Sequence, residues 1–168
     1  MNNIFEQKVI PIASLVRKQC EEAIPSFNKM NFYFCSDLGG MCAIASYALK
    51  QSLSKFKIRS KMVVGSFDWR GNHPYPNYCN HCWLEVADKI IDITASQFDK
   101  FPSVYIVPKD DSKYKPFNML AIKKEIGTLK KMQWPEEQTP CKKILNQILT
   151  KNFKNKLDKI KETDMILA

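Results

Sequence analysis

The chain has 168 residues, of which 45% are hydrophobic and 26% charged, the length and balance of one domain that can bury a core. This excludes wholesale disorder, and no apolar run reaches the length of a bilayer span, so no membrane span is expected. The net charge is +9, and residues 109–168 hold 14 Lys against 8 Asp and Glu, so the surplus lies mainly in the C-terminal third.

The opening MNNIFEQKVIPIASL lacks a basic start, an unbroken apolar stretch and a small-residue cleavage site, so no Sec-type leader is expected. Cytoplasmic location is the expectation, with export by a specialised secretion system left open. Ile12, Leu15, Val16, Cys20 and Ile24 recur at helical spacing, which predicts a helix from Pro11 that Pro25 stops. An aromatic approach, NFYFCSDLGG, leads to a second predicted helix over about Met41 to Leu53. Its buried stripe is Met41, Ile44, Ala45, Ala48, Leu49 and Leu53.

KMVVGSF, from Lys61, reads as a strand. The loop DWRGNHPYPNYCN follows; its aromatics, with Phe67, either close over a substrate or pin the loop to the surface. Next come strands HCWLEVA, KIIDIT and SVYIV, the last ending at Pro108. Beyond them a helical stretch is predicted over Met119 to Met132, then the linker WPEEQTP. The chain ends in an amphipathic helix from Cys141 to about Ile160, with Ile144, Leu145, Ile148, Leu149, Phe153, Leu157 and Ile160 on its apolar side. Such a stripe is expected to dock on the domain. The chain reads as a single domain, 1–168, with a catalytic core over 30–107 and a basic helical part over 109–168.

The six cysteines, Cys20, Cys35, Cys42, Cys79, Cys82 and Cys141, are scattered irregularly; reduced thiols fit better than a disulfide framework. Cys42 stands apart from the others. Gly39-Gly40 ends the approach just ahead of a helix and places Cys42 in its first turn, where unpaired N–H groups and the positive end of the dipole favour a thiolate. The competing reading is a small residue buried at a helix start.

A thiol nucleophile needs a base, and the chain has two histidines. His73 lies in the loop. His81 opens a strand whose alternation sends Cys82, Leu84 and Val86 to one face, and His81, Trp83 and Glu85 to the other. With Ala87-Asp88 as a two-residue turn, Val86 pairs with Lys89, and His81 and Asp92 become diagonal neighbours about 7–8 Å apart on the non-core face. Asp92 can then fix the imidazole's tautomer. A purely structural His–Asp hydrogen bond is the other outcome of this geometry.

The order GGMC, then HCWLEV, then IIDITASQF resembles the transglutaminase-like branch of the papain-like cysteine enzymes. The resemblance covers about Tyr33 to Val107. It implies an α+β fold, a central helix carrying Cys42 packed on an antiparallel sheet carrying His81 and Asp92, and a Cys-His-Asp triad. Leu38 stands where the similar arylamine N-acetyltransferases have Arg, which argues against coenzyme A chemistry. Ser36 and Asp37 stand where papain-like proteases have Gln. One oxyanion donor is then the Cys42 N–H, with Trp83 and Gln97 as candidates for the second.

The implied activity is acyl transfer through Cys42, most simply hydrolysis of an amide or peptide bond by a cysteine protease or glutamine deamidase. No cofactor is expected, and a protein or peptide is the expected partner. The alternative is a non-catalytic module of the same fold whose basic C-terminal helices contact an acidic protein or nucleic acid. Nucleic acid is disfavoured, since no recognition motif accompanies the charge. Cys79-x-His81-Cys82 is too tight for a zinc site, and no metal is expected. Oligomeric state is not legible.

Overall fold

A computed structural model describes residues 4–28, 38–69, 78–98, 100–117 and 148–166. The aromatic approach at 31–37, the loop at 70–77 with His73, the helix expected over Met119 to Met132, the linker at 134–140 and residues 141–147 lie outside the described residues.

A π-helical turn, Phe5–Val9, runs into helix α1, Ile10–Asn28. Ile12, Val16, Cys20, Ala23 and Ile24 form its buried stripe. The expected stop at Pro25 does not occur. A proline this close to the end forfeits only the bond to the carbonyl four residues back, and the last residues still complete the turn. Helix α2, Cys42–Ser54, follows. Its buried side is made of Ala45, Ser46, Ala48, Leu49, Ser52 and Leu53, small enough at four of six positions for close packing on the sheet.

The sheet comprises β1 (Lys61–Asp68), β2 (Tyr78–Val86), β3 (Lys89–Asp92), β4 (Tyr105–Pro108) and β5 (Tyr114–Pro116). Its order is β4-β3-β2-β1-β5, and every pairing is antiparallel. Consecutive strands pair as a meander from β1 to β4, and β5 then returns to the free edge of β1. The fold is therefore α+β, as expected. β5 is not predicted from the sequence; three residues ending in Pro are too short for a period-two pattern. The sheet curls so far that Tyr105 on one edge strand stacks on Tyr114 of the other, with ring centroids 6.4 Å apart.

Alternation along β2 divides the core. Leu84 and Val86, with Ile91 and Ile93, pack against α1, α2 and the C-terminal helix α3, Lys151–Ile166. Ile148, Phe153 and Leu157 are fully buried in that cluster, so the described part of the C-terminal apolar stripe docks on the domain, although a break at Leu149 and Thr150 interrupts the single helix expected from Cys141. The opposite, inner face is closed by Val63, Phe67, Trp83, Ile90, Val107 and Tyr114. Gly65 is obligatory there, because a Cβ would collide with the Lys115 carbonyl and with the far edge of the Trp83 indole. No helix among the described residues is long and apolar enough to cross a membrane.

Candidate active site

The turn before α2 is built from Leu38 to Met41, closed by the Met41 N–H donating to the Leu38 carbonyl at 2.9 Å. Gly40 takes a φ of 83° and Leu38 a φ of 69°. The first is natural for glycine. The second is costly for a branched side chain and is offset by burying Leu38 completely. Met41 precedes the helix without a side-chain cap, and the first backbone bond of α2 is Ala45 N–H to Met41 C=O at 2.9 Å. Cys42 thus sits among the unpaired N–H groups of the first turn. Its side chain is half-buried, whereas Cys20 and Cys82 are buried. Burial, the largest cause in each case, pushes both of those thiols up to about 12.

The β2–β3 hairpin has the expected register: Val86 pairs with Lys89, Glu85 with Ile90 and Leu84 with Ile91. Ala87 makes the tight turn possible by adopting a φ of 53°. His81 and Asp92 consequently share a face, and His81 Nε2 hydrogen-bonds Asp92 Oδ2 at 2.6 Å, both residues at most 1% exposed. Strand β3 was expected to continue through Thr94. It ends at Asp92, because the Thr94 N–H turns back to Asp92 Oδ1 at 2.8 Å and leaves the ladder.

Asp92 accepts two further bonds, from Thr94 Oγ1 to Oδ1 at 3.0 Å and from the Tyr114 hydroxyl to Oδ2 at 2.9 Å. The imidazole is walled by Phe67, with centroids 5.5 Å apart, and by Phe98, edge-on at 5.0 Å. Burial alone would lower its pKa. The Asp92 charge and hydrogen bond outweigh this, with Cys42 adding to them, and raise it to about 9. Nδ1 is the nitrogen left over. It has no hydrogen-bond partner among the described residues, and the Cys42 thiol lies near enough for its charge to act on the ring.

Cys42, His81 and Asp92 are therefore brought together. The two supporting candidates are placed differently. Gln97, in a short 3-10 turn over Ala95–Gln97, donates from Nε2 to the Thr94 carbonyl at 2.9 Å and accepts the Gly40 N–H on Oε1 at 3.4 Å. Its amide ties the turn that carries Cys42 to the turn after Asp92. Trp83 is fully buried, its ring 6.2 Å from that of His81, and its indole N–H has no partner among the described residues. Phe67, assigned above to the aromatic loop, is instead a core residue against His81.

Tyr114, Thr94 and Arg17 also support the site and are not found by sequence reasoning. Arg17, 5% exposed, donates from Nη1 to the Ile93 carbonyl at 2.7 Å and so fixes the chain next to Asp92 from α1. Thr94 has a local signal, since Asp-x-Thr commonly folds its own N–H back onto the carboxylate. Tyr114 and Arg17 are distant in sequence and leave none. No family model matches the chain, nor does any curated protein or solved structure.

Chemically, the arrangement offers a partly accessible thiol, an imidazole that carries a proton at neutral pH, and a dry carboxylate that holds it.

Proposed function

We propose that this protein is a cysteine enzyme of the transglutaminase-like branch that transfers acyl groups through Cys42. The observation that carries the proposal is the 2.6 Å bond between His81 Nε2 and Asp92 Oδ2. It commits that nitrogen to the carboxylate and leaves Nδ1 for the thiol. The Cys42 sulfur, its proton held by His81, attacks the carbonyl carbon of an amide or peptide bond. A C–S bond forms, and the carbon–nitrogen bond breaks as the leaving amine takes the proton from the imidazolium. Water then attacks the thioester, His81 takes its proton, and the carboxylic acid departs with the C–S pair returning to sulfur. The Cys42 N–H, in the first turn of α2, supplies one oxyanion donor. Hydrolysis is favoured over transfer to an amine because it requires no second substrate site. A thiol nucleophile also suits a reducing compartment, consistent with the cytoplasm.

Intact-mass analysis after exposure to activated acyl esters and glutamine-containing peptides tests this. An acyl adduct mapping to Cys42, absent in Cys42→Ser and formed at least ~100-fold more slowly in His81→Ala, is expected. Adducts spread over several cysteines, or indifferent to His81, would contradict it.

A further inference from the structure

Asp92 is bonded more heavily than orienting a histidine requires. The two Thr94 bonds to Oδ1 are local and hold the plane of the carboxylate. The bond to Oδ2 from Tyr114 spans 22 residues and comes from β5, which lies three strands from β3 in the sheet. It reaches Asp92 across the inner face of the curl. Tyr114 is 4% exposed, and its ring is held by Phe67 at 4.7 Å, Trp83 at 5.0 Å and Tyr105 at 6.4 Å. So firmly seated a phenol puts its hydroxyl on the same oxygen that His81 uses.

We propose that Tyr114 is a positioning residue of the Cys42–His81–Asp92 site, whose hydroxyl shares Asp92 Oδ2 with the imidazole and thereby moderates how tightly His81 holds its proton. The idea rests on the acyl-transfer reading for its purpose, though not for its geometry. The positive end of the O–H dipole points at Oδ2 and takes up part of the charge that otherwise acts on the imidazolium. Tyr114 stays a donor throughout, because burial, followed by the nearby Asp92 charge, drives its own ionisation well above the ordinary tyrosine range.

The titratable groups acting on His81 are Asp92 from β3 and the Cys42 thiol from α2, with Tyr114 from β5 acting through Asp92. Phe67, Trp83 and Phe98 are neutral walls. Tyr105 and Asp111 lie near Tyr114 and act on it more weakly than Asp92 does. Cys82 stays neutral across the relevant range.

Tyr114→Phe deletes the hydroxyl while keeping the ring and both Thr94 bonds. The test is an NMR titration of the His81 imidazole without substrate, its signal identified by its loss in His81→Ala. The midpoint in Tyr114→Phe is expected to move up by about one pH unit; an unchanged or lower midpoint overturns the proposal. Should that variant fail to fold, the wild-type sequence with 3-fluorotyrosine at its tyrosines keeps the ring packing and strengthens the donor. The midpoint must then move down, and constancy or a rise overturns the proposal. Neither titration depends on turnover. A null titration leaves the acyl-transfer reading standing, and a Cys42 that forms no adduct overturns that reading while leaving the titration interpretable.

Discussion

At the scale of single residues, the His81–Asp92 pair links the site's chemistry to stability. The folded imidazole binds its proton up to about pH 9, against 6.5 for an ordinary histidine. Its contribution is fully present below about pH 6.5 and is lost as pH rises through about 9. The difference is on the order of 3 kcal/mol. Asp92→Asn removes the charge that retains the proton, so chemical denaturation should show this part of the decline in wild type and not in the variant. Equal slopes for the two proteins would show that Asp92 does not hold the proton. Cys42, His81 and Asp92 were legible in the sequence because each carries a local signal: a double glycine before a helix, and alternation on two strands joined by a countable turn. Tyr114 was not, because only the curl of the sheet brings it to Asp92.

At the scale of elements, three joints decide whether the site assembles. The β2–β3 turn holds Ala87 at a φ of 53°, a region costing a non-glycine residue roughly 1 kcal/mol. Ala87→Gly should therefore raise stability by about 1 kcal/mol, read as a higher denaturation midpoint at unchanged slope. Arg17 ties α1 to the Ile93 carbonyl. Arg17→Met leaves that acceptor without its donor and should cost about 1–3 kcal/mol by the same measurement. Gly65 is where β1 admits the Trp83 indole and the β5 backbone together. Gly65→Ala should destabilise by at least ~2 kcal/mol and change the near-ultraviolet signal of the buried tryptophan. Periodicity located α2 to within a residue and the register of the hairpin, but placed the start of β2 at His81, three residues after its observed start at Tyr78. It did not reveal β5, whose place is set by its pairing with Gly65, Ser66 and Phe67 of β1.

At the scale of the whole molecule, the helices cover one face of the sheet, and the curl closes the other around aromatic rings. Cys42, His81 and Asp92 sit where the first turn of α2 meets β2 and β3. The C-terminal helix contributes by burying Phe153 and Leu157 and presents Lys154, Lys156 and Lys159 outward, so part of the basic surplus is the solvated side of a docked element. Lys50, Lys57 and Arg59 line an open groove near the other end of α2, where cations complement the negative end of the helix dipole. The central claim is that one thiol is activated by one histidine. Its most direct test is iodoacetamide labelling near pH 7 with every cysteine quantified by peptide mapping. Cys42 should label far ahead of buried Cys20 and Cys82, and at least ~10-fold more slowly in His81→Ala. Slow labelling of Cys42 at the same rate in both proteins would contradict the account.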